Sequence, residues 1–286
     1  MLYAIRMDAR LSSLIDSRED EFVKDLQRLC SQPSVSAQNL GIKECSDLVC
    51  EMMRESGLKS ELLSVDDGNP IVFGEISSKN TSKTLIFYNH YDVQPPDPVD
   101  QWSSPPFSPE VRSGRIYARG ASDNKGNIVA RLKAIEALLE VYGELPVNVK
   151  FVVEGEEEIG SPNLPGFVKR YKSNLKADGC IWETGHKDLK ERPIIILGAK
   201  GILYIELTAK GASTDLHSSN ATLVPNPAWH MIWALQSMKD RSGKILIEGF
   251  YDHIQAPSEE DLEYLKQMPF DEDEFKKKLG LTSFVN

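Results

Sequence analysis

Thr84-Leu85-Ile86-Phe87-Tyr88-Asn89-His90-Tyr91-Asp92 is the stretch on which the fold turns. Leu85 to Tyr88 are strand formers, and the run stops at Asn89-His90-Tyr91-Asp92, ahead of Val93-Gln94-Pro95-Pro96. A short apolar run bounded by turn residues predicts a buried strand. His90 and Asp92 then stand where that strand leaves its sheet. In open α/β sheets the carboxyl ends of the strands are where ligands bind. Taken alone, a His-x-Asp pair is an ordinary polar strand end, because motifs this short recur by chance. The rest of the chain decides.

Upstream, a helix is expected from Ser17, with Phe22, Val23, Leu26, Leu29 and Cys30 at helical spacing and Pro33 as its stop. A second covers residues 40–53. Strands at residues 60–65 and 71–76 flank Asp67-Gly68-Asn69-Pro70, which is strong turn chemistry. After the opening strand, residues 94–109 are too rich in proline for a helix or a central strand. Trp102 and Phe107 read as packing anchors of that loop. A short strand at residues 116–118 then enters Arg119-Gly120-Ala121-Ser122-Asp123-Asn124-Lys125-Gly126 and a long helix carrying Ile128, Val129, Leu132, Ile135, Leu138 and Leu139. Asp123 precedes that helix, where the simplest role of an Asp is an N-cap worth about 1 kcal/mol.

The strand at residues 147–153 runs into Glu154-Gly155-Glu156-Glu157-Glu158-Ile159-Gly160-Ser161-Pro162. Crowded carboxylates raise one another's pKa. The compact turn at Gly160-Ser161-Pro162 keeps them near the sheet, where a cation would relieve the repulsion. One more apolar strand, residues 179–182, ends in Glu183. A single exit with a metal-type ligand is ordinary. Four of them, at His90, Asp123, Glu157 with Glu158, and Glu183, point to one site, because parallel strands bring their carboxyl ends to one edge.

After Arg192-Pro193 the pattern changes. Two strands, residues 194–197 and 201–209, follow without a helix between them. A polar loop with Asp215-Leu216-His217-Ser218 leads to a helix opened by Asn226 and Pro227 and carrying Trp229, Ile232, Trp233, Leu235 and Met238. Two short helices, at residues 258–268 and 271–279, follow. Two domains are expected, residues 1–197 and an α+β domain at 198–286.

Composition narrows the class. The 286 residues are 41% hydrophobic and 27% charged, as in a globular protein. A net charge of −10 excludes a phosphate-backbone partner, which needs a basic face. No stretch approaches the ~18 apolar residues of a membrane span, and the first residues carry no apolar signal core. Cys30, Cys45, Cys50 and Cys180 form no Cys-x-x-Cys pair and read as buried free thiols of a reducing compartment. A cytoplasmic protein with neither nucleic-acid nor membrane partners is expected.

With these residues laid out, the sequence resembles the dinuclear zinc exopeptidases and aminoacylases. That family includes carnosinase, cytosolic nonspecific dipeptidase, acetylornithine deacetylase, succinyl-diaminopimelate desuccinylase and glutamate carboxypeptidase. The matching segments are HYDVQPP, Trp102 with PPF, GRIYARGASDNKG, VNVKFVVEGEEEIGS and DLHS. The similarity runs over residues 17–280, and residues 248–280 resemble the carnosinase and nonspecific-dipeptidase branch. The resemblance implies an α/β fold: a zinc-exopeptidase-like mixed sheet flanked by helices, with an inserted α+β lid and dimerisation domain at residues 198–286.

It also implies roles. His90 and Glu183 would bind one metal, Glu158 the second, and Asp123 would bridge both, with a cis bond to Asn124. Glu157 would be the general base, Asp92 would fix the surroundings of His90, and His217 would stabilise the oxyanion, often across a dimer interface. The cofactor would be two divalent ions, zinc foremost, with manganese or cobalt as alternatives. The partner would be a small peptide, and the full-length form a homodimer through the lid domain. The implied reaction is hydrolysis of the amide bond of dipeptides or short peptides. The alternatives are deacylation of N-acyl amino acids and a truncated, non-catalytic member acting through the Trp229–Trp233 helix. A dinuclear phosphoesterase is weaker still, since no phosphate-binding glycine loop or arginine clamp is visible.

Two departures from the family pattern stand out. Ser219 replaces the usual glycine after DLHS. The family's second metal also takes a later histidine, and no histidine follows His253. The chain therefore looks C-terminally truncated, and is expected to hold one ion poorly and to show little activity alone. His186, His230 and His253 match nothing in the pattern and read as structural or surface residues.

Overall fold

The computed structural model describes residues 8–284 apart from 184, 186, 189, 197, 199 and 200. The reading of His186 therefore lies outside the described residues. The chain divides into two compact units, residues 1–198 and 199–286.

Helices α1 (Ala9–Ser17) and α2 (Glu19–Ser31) open the first unit, where sequence periodicity gives one helix from Ser17. The extra helix is set by Asp8, whose carboxylate accepts the Arg10 N–H at 2.9 Å as an N-cap. Helix α3 (Ile42–Glu55) buries Ile42, Cys45, Val49, Cys50, Met52 and Met53. Strands β1 (Lys59–Leu63), β2 (Ile71–Ile76) and β3 (Thr84–His90) follow, then the short pair β4 (Glu110–Arg112) and β5 (Arg115–Tyr117). Helix α4 (Lys125–Tyr142), strand β6 (Asn148–Glu154), helix α5 (Leu164–Arg170) and strand β7 (Gly179–Ile181) complete the unit.

The main sheet has the order β1-β2-β6-β3-β7. β2 runs antiparallel to both of its neighbours, β1 and β6, whereas β6, β3 and β7 run parallel. The crossovers through α4 and α5 cover opposite faces, as a doubly wound sheet requires. One core packs Val149, Phe151 and Val153 of β6 against α3 and α4, with Met53, Ile128, Leu132 and Ile135 buried. The other packs Ile86, Tyr88 and Val152 beneath Phe167 of α5. His90 pairs with Glu154 in register, so β3 and β6 end flush.

One expectation changes here. The strand before Asp123 does not belong to the main sheet, because β4 and β5 form a two-stranded sheet of their own. Asp123 therefore arrives from a loop at the start of α4. The three parallel strands supply the other exits. The cysteines are free, with Cys30, Cys45 and Cys50 buried and Cys180 exposed.

The second unit contains α6 (Pro227–Met238), α7 (Glu259–Gln267) and α8 (Glu272–Leu279). Ser258 and Asp261 form a capping box on α7. Among the described residues of this unit there is no strand, only a bridge between Lys239 and Ile245. Residues 201–209 have strand-like composition, yet Ile202 is 89% and Tyr204 92% exposed. A strand exists only through partner hydrogen bonds, and no described residue pairs with this segment. The expected α+β character thus reduces to helices and turns. No described helix is long and apolar enough to cross a membrane.

The turn after β6 is held tightly from below. A Cβ on Gly155 would overlap the phenol of Tyr91, which is fully buried and donates its O–H to the Pro70 carbonyl at 2.8 Å. Gly155→Ala is expected to lower stability by about 1–3 kcal/mol through overpacking, measured by urea denaturation of the metal-free chain.

Candidate metal centre

His90 is fully buried, the last residue of β3, and its ring is oriented from behind. Its Nδ1 lies 3.0 Å from the Asp92 carbonyl oxygen and 3.4 Å from Asp92 Oδ1. A carbonyl can only accept, so Nδ1 carries the hydrogen and Nε2 is turned outward. Around Nε2 stand Asp123 Oδ1 at 2.9 Å, Glu183 Oε2 at 3.2 Å and Glu157 Oε2 at 3.8 Å. Two triads have ligand atoms within 4.8 Å of one another: His90 with Asp123 and Glu158, and His90 with Glu157 and Glu183.

Asp92, also fully buried, does two things at once. Its backbone carbonyl faces the His90 ring, and its carboxylate accepts the N–H groups of Glu157 at 3.2 Å and Glu158 at 3.0 Å. These two amides open a 3-10 turn, Glu157–Ile159, which closes at Gly160 in the left-handed conformation. The Glu157 and Glu158 side chains are thereby anchored through their own backbone. Gln94 holds Glu158 from the other side, its amide donating to Glu158 Oε2 at 2.7 Å. Glu156 turns inward instead, accepting from Asn69 N–H and from the Asn163 amide.

Glu183 is held by its backbone. Its carbonyl accepts from Asn124 Nδ2 at 3.3 Å, from Asn127 Nδ2, and from Arg131 Nη2 at 3.0 Å. Arg131 also bonds the carbonyls of Tyr88 and Trp182, and Asn89 bonds both Asn124 and Arg131. Sequence reasoning missed this cradle. Its one visible signal is that Asn124, Asn127 and Arg131 recur at spacings of three and four on the first turns of α4, which places them on one face. Gln94 and Glu154 were missed as well.

The Asp123–Asn124 peptide bond is cis. Asn124, not Asp123, occupies the N-cap position of α4, without a capping side-chain bond. The Asp123 carboxylate points to His90 instead, and its side chain is 69% exposed. His217 lies in the second unit, exposed, with Nδ1 accepting the Ser219 N–H at 3.2 Å. His230 packs on Trp233 in the same unit.

Electrostatics express the crowding. Burial disfavours the charged form of His90, but Asp123, Asp92 and Glu183 overcome it and push its pKa to about 11. Burial pushes Glu183 up to about 7 and also raises Glu158, while His90 holds Asp123 below the usual carboxylate range. Glu183 Oε2 is buried with no hydrogen-bond partner among the described residues. An orphaned anionic oxygen beside an outward imidazole nitrogen and further carboxylates is a donor set suited to divalent cations. His90, Asp123, Glu158 and Glu183 could hold such ions, and Glu157 reaches the same space.

Residues 86–269 match the sequence pattern described as Peptidase family M20/M25/M40. The chain is 35% identical over 272 residues to the Cys-Gly metallodipeptidase dug1 of Schizosaccharomyces pombe, a match covering 88% of this chain and 57% of that protein. It is 30% identical over 291 residues to the Beta-Ala-His dipeptidase of Homo sapiens, covering 95% and 57%. The M20 family metallo-carboxypeptidase Sso-CP2 from Sulfolobus solfataricus superposes with a TM-score of 0.81 at 40% identity, over 98% of this chain and 61% of that one. The chain spans about three fifths of the length of these relatives.

Coordination needs a neutral imidazole, so an entering cation must displace the proton that the metal-free site holds on His90. Affinity is expected to rise with pH toward the His90 value of about 11. Zinc titration calorimetry in buffers of different ionisation enthalpy should show about one to two protons released per chain at pH 7, and about one fewer in His90→Asn.

Proposed function

The chain belongs to peptidase family M20/M25/M40, and on that premise we propose that its first unit is a catalytic domain hydrolysing the peptide bond of dipeptides. The observation that carries this reading is the convergence of His90, Glu157, Glu158 and Glu183, at the ends of β3, β6 and β7, with Asp123 from the loop that opens α4. The names of the relatives supply the substrate class, dipeptides such as Cys-Gly and β-Ala-His.

In this reading His90 and Glu183 would hold one divalent ion and Glu158 the other, with Asp123 shared between the two. Zinc suits the mixed nitrogen and oxygen donors. When bound, such ions would supply Lewis acidity toward the scissile carbonyl and the attacking water. Glu157 keeps a third of its side chain exposed, and among the described residues its carboxylate makes no hydrogen bond, so it is free to work. It takes the proton of the attacking water and returns it to the leaving amine, as a general base and then acid. Asp92 keeps the His90 ring in the tautomer that presents Nε2. The second unit serves as a lid and dimerisation domain, with His217 as oxyanion donor in a homodimer.

Glu157→Gln separates the chemistry from the metal. The variant is expected to retain zinc while dipeptide hydrolysis falls about 10²–10⁴-fold, followed by amine release from Cys-Gly and β-Ala-His with the zinc-loaded chain. N-acetyl amino acids in the same assay test deacylation. Loss of zinc in Glu157→Gln would make Glu157 a ligand and overturn its role as base.

A further inference from the structure

The acidic turn contains a carboxylate that the reaction above does not use. Glu154 ends β6 directly opposite His90 and is 1% exposed. It belongs to neither ligand triad. Removing a carboxylate from water is costly unless hydrogen bonds replace the lost solvent. Were this position only core filler, an apolar side chain would fill it without that cost.

What Glu154 touches gives the reason for it. Its Oε1 accepts two hydrogen bonds, from the Ser161 hydroxyl at 2.9 Å and from the Tyr88 hydroxyl. Ser161 closes the turn that carries Glu157 and Glu158. Its N–H bonds the Glu156 carbonyl at 2.8 Å, and its φ of +50° is unusual for a residue with a side chain. Tyr88 stacks on the indole of Trp182, ring centroids 3.9 Å apart, and Trp182 immediately precedes Glu183. One oxygen thus reaches both segments that flank His90, one bearing Glu158 and the other Glu183.

We propose that Glu154 is a positioning residue that sets the spacing between the Glu158 and Glu183 sides of the metal cluster, acting through Ser161 and Tyr88. This rests on the metal-centre reading given above. Polar groups behind metal ligands typically govern affinity because they fix the ligands' orientation.

The test is zinc affinity of the whole chain, by competition with a chromophoric chelator, with denaturation midpoints measured in parallel. Glu154→Leu should weaken binding about 10–100-fold. Glu154→Gln keeps an acceptor oxygen in place and should stay within about threefold. Ser161→Ala and Tyr88→Phe should each weaken binding, and their effects should be local. Ser161→Ala should add nothing in a Glu158→Gln background, nor Tyr88→Phe in a Glu183→Gln background, because each pair acts through one ligand. A general loss of stability would not produce that pattern. If Glu154→Leu fails to fold, these two pairs carry the test. Wild-type binding with fully additive losses, or a folded Glu154→Leu that binds zinc like wild type, overturns the proposal and leaves the metal centre standing. A wild-type chain that takes up no zinc overturns both.

Discussion

One buried carboxylate, Asp92, fixes the relation between the two strand ends on which the site is built. It lies just past β3 and takes the backbone amides of Glu157 and Glu158, just past β6. Two N–H groups donated to one carboxylate satisfy a charge that burial would otherwise make expensive. The same residue's carbonyl sets the tautomer of His90. The imidazole and the acidic turn are therefore positioned by a common anchor. Because β3 and β6 are already flush, that anchor need span only one strand spacing.

The site assembles like charges at a sheet edge and tolerates them by dividing their roles. Asp92, Glu154 and Glu156 are turned inward and hydrogen-bonded by the protein. Asp123, Glu157, Glu158 and Glu183 face the common space around His90. The inward set shapes the backbone, and the outward set is left to meet a cation. In the metal-free chain the imbalance shows as a proton retained on His90 and as a raised Glu183. A buried oxygen on Glu183 with no hydrogen-bond partner among the described residues is the most direct mark of a site suited to a cation.

The site residues at the strand ends were legible in the sequence because each sits beside a strong local signal. His90 ends an apolar run, Glu157 and Glu158 follow another, and Glu183 a third. The central strands were legible for the same reason, since period and turn chemistry are local properties. What supports the site was not, because those contacts are distant in sequence. Arg131 reaches the Tyr88 carbonyl 43 residues away and the Glu183 carbonyl 52 away. Glu154 reads in the sequence as one more acid of the crowded turn, and only the pairing of β6 shows it turned inward. Residues 201–209 fail in the opposite way. Their composition is that of a strand, but a strand also needs a neighbour, and local pattern carries no information about one.

The burial around His90 is one-sided. Its ring and Asp92 are fixed in the sheet interior, while Asp123 stands largely in solvent. The rigid half is tied together by the hydrogen bonds of Asp92 to the His90 ring and to the Glu157 and Glu158 amides. The exposed half gives small molecules a route to the ion from outside. Occupancy would then follow the supply of metal around the protein, with an ion open to capture by a competing chelator or to exchange for another kind. The same asymmetry would make the centre responsive to its surroundings.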